Sequence, residues 1–420
     1  MDTQQPATPP PTTATRRPPG PPGPPEPPGP DRRSRLAWLD HLRIALTILV
    51  VLHHAAQPYG PADWWYVEGQ PRTPALATLS AVDGAFFMSL FFFVSAFFVP
   101  ASHRRHGTGA FLKSRLIRLG IPVAVGALTI VPGLMYAYYV HYRGYPALSF
   151  PAYFTDVYLG LGEKPAGWTG PSWPDLQFGH LWFIQNLLAY TVLYVLCSRL
   201  GRLLRRRPGR AARVRPPRPA PGHRALLALT AAVTAATYLI RLEYPLDTWI
   251  PVLDFLQVEP ARLPQYATFF TLGVLAHRYD WPDRFEARVG WVWLGGGLAG
   301  VALLFGIGAD SALFGPGGSG GPALAWAAYE SALCVALCVG LLTAFREAGF
   351  RGGRWTRELA ADSYAVYIVH VPLVVAVQYH LAGRGLPPAG AWATAGALGL
   401  VSAFLLAAGL RRLPGFRRVL

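Results

Sequence analysis

The chain has 420 residues, 52% hydrophobic and 14% charged, with a formal net charge of +16. Soluble domains carry about 25% charged residues, so this deficit, together with repeated apolar runs of about 20 residues, excludes an ordinary soluble domain and reads as an all-α polytopic integral membrane protein. The arginines fall in short loops between apolar runs, the pattern of membrane topology, and no basic folded module points to nucleic acid. Cys197, Cys334 and Cys338 lie in apolar runs without metal-ligand spacing. Neither a disulfide framework nor a metal site is expected from them.

Residues 1–35 form a proline-rich stretch with Arg16, Arg17, Arg32 and Arg33. Such a segment buries too little apolar surface to fold and reads as a disordered cytoplasmic tail. A membrane domain over 36–412 follows, and 413–420 is a short basic tail. Apolar periodicity predicts ten spans near 38–58, 82–101, 119–140, 180–200, 224–241, 263–278, 289–308, 323–345, 359–380 and 388–410. The fifth and sixth are short or interrupted by polar residues. Arginine-rich loops alternate with arginine-poor ones: Arg104, Arg105, Lys113, Arg115 and Arg118 follow the second span, and a run from Arg199 to Arg218 follows the fourth. The positive-inside rule therefore places both termini in the cytoplasm of a multi-pass plasma-membrane protein. The opposite loops are long and aromatic, with Trp64, Trp65 and Tyr66, then Tyr142, Tyr145, Trp168 and Trp173. These are interface anchors or a platform for a sugar.

The first span, LDHLRIALTILVVLHHAAQPY, carries Asp40, Arg43, His53 and His54. Ionisable groups inside a span cost free energy and mark a functional site by default. Arg43 and His54 are eleven residues apart, which is about 20° past three full turns, so they share a face, roughly 16 Å apart along the axis. His53 points about 100° away. A histidine there can act as a general base. Arg115 and Arg118, at i,i+3 after the second span, suit a phosphate or pyrophosphate, or are topogenic charge. His180 and Trp182 open the fourth span in GHLWFI, with His180 expected at the outer interface. Glu330 is expected about 10 Å deep in the eighth span, facing a polar cavity or a cationic partner. Ser363, Tyr367 and His370 share one face of the ninth. His370 there is either a second wall of a cavity or a helix–helix hydrogen bond.

These residues resemble the acyltransferase 3 family of polytopic membrane O-acyltransferases over residues 36 to 410. Arg43-x10-His54 resembles the family's signature in its first span, and Arg115-x-x-Arg118 resembles the paired-arginine motif after the second. GHLWFI at 179–184, SYAVYIVHVP at 363–372 and FFMSLFFFVSAFF at 86–98 resemble further blocks. Ser95-Ala96 stands where many members have Ser-Gly. The His-His doublet and GHLWF lean toward the branch with glucan-biosynthesis succinyltransferases.

The resemblance implies an acyl group, of acetyl or succinyl type, moving from a cytoplasmic acyl-coenzyme A to a hydroxyl of an envelope glycan, lipid or small-molecule acceptor. Acyl-coenzyme A is then a donor substrate, with no bound cofactor and no metal. His54 would be the base, Arg43 would steady the donor or the developing oxyanion, and Arg115 and Arg118 would hold coenzyme A phosphates. Asp40, His53, His180, Trp182, Glu330, Ser363, Tyr367 and His370 complete the expected cavity. The rival class is a multi-helix transporter or flippase for an envelope metabolite, which midplane ionisable groups also suit. Visible inverted repeats would favour that class, and the sequence shows none.

Overall fold

The computed structural model describes residues 36–60, 64–169, 178–205, 219–253, 255–306 and 319–419. The proline-rich tail, Trp173 and the arginines at 206–218 lie outside them. The described chain is helical almost throughout. Its helices are α1 (Ala37–Ala56), α2 (Pro74–Phe97), α3 (Val99–Arg115), α4 (Ile121–Leu128), α5 (Ile130–Tyr142), α6 (Trp182–Arg205), α7 (His223–Arg241), α8 (Leu263–Arg278), α9 (Ala287–Gly306), α10 (Gly321–Glu347), α11 (Arg354–Leu381) and α12 (Pro388–Leu410). Among the described residues, nine helical stretches are long and apolar enough to cross a membrane, with Val99–Tyr142 counting as one. The expected sixth span forms as α8 but has only 16 residues. The chain is a polytopic α-helical membrane protein.

α1 and α2 stand at the centre. α1 packs on α2, α10, α11 and α12, and α2 packs on α6, α8 and α10. The periphery is left to α7, α9 and α12, which turn Leu227, Leu298, Leu303 and Leu405 outward. In lipid those leucines gain nothing by association, so close packing of small residues must hold the helices together. The α2–α8 contact shows how. A Cβ on Gly273 would fall 2.3 Å from the Phe93 carbonyl oxygen and 2.9 Å from Ala96 Cβ. Close backbone approach at the Phe93–Ala96 turn is thus supplied by a glycine on the facing helix, although α2 itself carries Ser95-Ala96.

Two departures from the expected boundaries matter for the site. α2 begins at Pro74, eight residues before the expected position 82. Asp83 is therefore well inside the helix and buried. After α2, the arginine-rich segment is helical instead of being a loop, and it breaks at Gly107. There φ is 71° and ψ 170°, a region open essentially to glycine alone. The chain re-enters through a π-helical turn, Leu116–Gly120. Turns of this kind insert a residue and cluster at functional sites.

Between α7 and α8 a small antiparallel hairpin pairs Ile250 with Val258 and Val252 with Leu256. Two polar residues of α6 pin it. The Gln185 Nε2 donates to the Phe255 carbonyl at 2.5 Å, its Oε1 accepts from the Gln257 N–H at 2.9 Å, and Asn186 donates to the Gln257 carbonyl at 2.7 Å.

Candidate active site

The site grows from a proline. Pro372 lies inside α11, and having no N–H it leaves the carbonyl four residues back without its helical partner. That carbonyl belongs to Ile368, and His180 Nε2 lies 2.8 Å from it. His180 is therefore buried inside the bundle. The Tyr367 hydroxyl donates to the His180 carbonyl, closing the contact between α11 and the start of α6.

One turn along, His370 is fully buried. Its Nδ1 lies 2.8 Å from the Tyr367 carbonyl and 3.2 Å from that of Val366. Its Nε2 lies 2.8 Å from Nδ1 of His54 on α1. The rings of His180 and His370 sit 5.2 Å apart, edge to face. On its other side His54 stacks on Trp65, with centroids 5.4 Å apart and planes 15° from parallel. Trp65 Nε1 donates to Gln378 Oε1 at 2.8 Å, while the Gln378 amide donates to the carbonyls of His54 and Ala55. Three imidazoles from α1, α11 and the start of α6 thus converge, each tied to backbone.

His53 points elsewhere, as the helical wheel requires. Its ring lies 4.9 Å from Phe87 on α2, its Nδ1 is 3.7 Å from Asp83 Oδ2, and Gln57 Nε2 lies 3.0 Å from its Nε2. Neither His53 Nδ1 nor Asp83 Oδ2 has a hydrogen-bond partner among the described residues.

At the arginine-rich end, Arg43 lies 3.4 Å from Asp40 and over the Phe98 ring at 5.7 Å. Arg115 lies over Phe111 at 5.3 Å. The Tyr364 hydroxyl donates to the Arg118 carbonyl. Arg43 and Arg118 are within electrostatic reach of each other, as are Arg115 and Arg118. Arg43 of α1, Arg115 at the end of α3 and Arg118 of the turn that follows therefore form one cationic cluster. His54 lies deeper along α1 by roughly 16 Å, at 1.5 Å per residue.

The remaining expected residues fall away from this axis. The Ser363 hydroxyl donates to its own helix at the Leu359 carbonyl, 2.9 Å away. Trp182 stacks on Tyr266 at 5.5 Å. Glu330 has cationic partners. Arg241 Nη2 donates to its Oε2 and Arg262 Nη1 to its Oε1, each at 2.5 Å, and Arg262 also bonds Glu259 at 3.2 Å and the Gly84 carbonyl at 3.0 Å. Sequence reasoning took Trp65 for an interface anchor or sugar platform and did not assign Gln378, Asp83, Arg241 or Arg262 to a site. The lone carboxylate in LSAVDGAFFMSL was the signal for Asp83, hidden by starting the helix too late.

The family model described as an acyltransferase domain, Acyl_transf_3, matches residues 36–411. The chain belongs to the acyltransferase 3 family. No curated relative and no solved structure matches it. This membrane acyltransferase carries both Arg43-x10-His54 and Arg115-x-x-Arg118 within the matched residues, and its transferase chemistry acts on acyl groups.

Proposed function

We propose that the protein transfers an acetyl- or succinyl-type acyl group from acyl-coenzyme A, bound from the cytoplasm, to a hydroxyl of a sugar or other envelope acceptor at the plasma membrane. The observation that carries this reading is the pairing of a guanidinium cluster, of which Arg43 lies on α1, with a half-buried, hydrogen-bonded histidine further along that helix. Guanidiniums suit the phosphates of coenzyme A. An extended pantetheine arm has the length to bring its thioester from Arg43 toward His54. His54 takes the proton of the acceptor hydroxyl. The oxygen attacks the thioester carbonyl, the resulting oxyanion collapses, the C–S bond breaks, and the imidazolium returns its proton to the thiolate. The products are an ester and free coenzyme A. Arg43 would steady the donor or the oxyanion.

The orientation with both termini in the cytoplasm puts the guanidiniums on the donor side. Cysteine accessibility at engineered positions in 205–215 and 150–170 tests it, and labelling of both segments from the same side overturns it. The chemistry is tested by supplying radiolabelled acetyl- and succinyl-coenzyme A to the purified protein in nanodiscs, with envelope glycan and lipid extracts as acceptors. Label should enter an acceptor with the wild-type protein and fail to do so with His54→Ala. Failure of either donor to label any acceptor would remove this reading.

A further inference from the structure

The hydrogen bonds of His370 determine which nitrogen of His54 is bare. Two backbone carbonyls face His370 Nδ1, at 2.8 and 3.2 Å. Carbonyl oxygens only accept, so Nδ1 carries the proton. A second proton on Nε2 would make an imidazolium of a fully buried ring that no carboxylate bonds among the described residues, a costly state in an apolar interior. His370 Nε2 is therefore an acceptor. His54 Nδ1 stands 2.8 Å from it and must donate. The ring of His54 is also within bonding reach of the Val50 carbonyl, four residues back. His41, His106 and His141 make that same backward contact through Nδ1. With its proton on Nδ1, neutral His54 keeps its lone pair on Nε2, since its bond to His370 engages only Nδ1.

We propose that His370 is a positioning residue that holds His54 as its Nδ1–H tautomer and so presents Nε2 as the base. Free neutral imidazoles favour the other tautomer, so this state has to be imposed. Trp65 fixes the plane of the ring by stacking and His370 fixes its rotation and proton. When Nε2 takes the acceptor's proton, the new imidazolium donates a charge-assisted bond from Nδ1 to His370, which stabilises the step. The backbone carbonyl of Tyr367 thus does, through one imidazole, what a carboxylate does in a serine hydrolase triad. The kinetic consequence rests on the acyl-transfer reading, while the tautomer does not.

The test uses the full-length protein in nanodiscs with 15N-labelled histidine, and the His54 ring signals are assigned by difference against His54→Asn. The wild-type protein should show a protonated Nδ1 and a bare Nε2 on His54. His370→Phe keeps an aromatic ring and removes one of the two acceptors, leaving only the Val50 carbonyl, so the His54 proton should move to Nε2 in part. His370→Gln places an amide oxygen near the lost Nε2 and should restore the wild-type signals. In turnover, His370→Phe should lower kcat by about 10²-fold or more at unchanged KM for both substrates, and His370→Gln should recover most of it. A wild-type His54 protonated at Nε2, or signals unmoved by His370→Phe, would overturn the inference. Where His370→Phe does not fold, the wild-type spectrum alone decides. The predicted tautomer in a protein that transfers no acyl group would leave the inference standing and remove only the function.

Discussion

Two buried polar clusters flank α2, and they solve the same problem in opposite ways. At Gly84, α2 lends its carbonyl to Arg262, which with Arg241 neutralises Glu330. At Asp83, one residue earlier, α2 faces His53, the neighbour of the imidazole set of His54, His370 and His180. The first cluster meets the cost of burial by pairing full charges across α7, α8 and α10. The second sets imidazoles against backbone carbonyls and stays open, leaving ring nitrogens such as His180 Nδ1 without a partner among the described residues. The ion network leaves Arg241 Nε and Nη1 without a partner among the described residues, but a guanidinium N–H has no lone pair to offer, whereas a lone pair held in place is what a general base requires. Ionisable residues inside a span are thus not a single signal. What separates a clamp from a catalyst is whether the nitrogen left open carries a lone pair.

Substituting the base itself should break this comparison most sharply. His54→Ala should cut turnover by about 10²–10⁴-fold, with a melting temperature close to wild type, because one hydrogen bond contributes only about 0.5–1.5 kcal/mol. His53→Ala should keep a good fraction of the rate, since its ring faces Phe87 and Asp83. The wild-type rate should also fall on acidification, because an imidazolium has no lone pair to offer. Initial rates at saturating donor, measured on variants matched for insertion, check all three. A near-normal rate in folded His54→Ala protein would show that the open cluster is not the catalytic one.

Glu330→Ala should show the reverse pattern. It strands Arg241 and Arg262 in the bundle, and removing one partner of a buried ion pair costs about 3–5 kcal/mol. The melting temperature in nanodiscs should drop clearly. The rate per folded molecule should change far less than for His54→Ala. A stable Glu330→Ala protein with no turnover would mean that the ion network belongs to the chemistry.

Helix content and most span boundaries were legible in the sequence because apolar runs near bilayer length have few alternatives. Arg43 and His54 were legible because both lie on one helix, where 3.6-residue periodicity fixes their relation. Partners from different helices were not. Periodicity says that His370 faces inward but not that it meets His54, and it places Glu330 inward without naming Arg241 or Arg262. What His180 meets was not legible either. Its partner is a carbonyl freed by Pro372, 192 residues away in sequence, and no local pattern in GHLWFI encodes that. Asp83 was lost because α2 starts at Pro74, which turned a mid-helix carboxylate into an apparent end residue.

The arginine cluster should give a smaller and more selective effect than either buried cluster. Arg115→Ala with Arg118→Ala removes two charged donors, each worth about 1.5–3 kcal/mol when engaged. The KM for the acyl donor should rise by at least ten-fold, with the KM for the acceptor unchanged. Equal rises in both would indicate a general loss of structure, and no change in either would leave the pair as topogenic charge. The separation of the two KM values, more than their size, is what distinguishes a phosphate site.

The smallest expected effect sharpens the comparison within the open cluster, by separating the two things Trp65 does. Its indole stacks on His54, and its Nε1 donates to Gln378. Trp65→Phe keeps an aromatic face and removes the donor. Gln378 still bonds the carbonyls of His54 and Ala55 through its amide, so α1 and α11 stay joined, and only Gln378 Oε1 loses a partner. One such lost bond costs about 1 kcal/mol, which is roughly five-fold in rate if it is felt wholly in the transition state. Trp65→Ala removes the stack as well and frees the His54 ring to rotate away from His370, so its rate should fall well below that of Trp65→Phe. Rates and melting temperatures of the two variants, measured side by side, check this. If Phe and Ala prove equally slow at equal stability, the hydrogen bond to Gln378 orients His54 and the stacking does not.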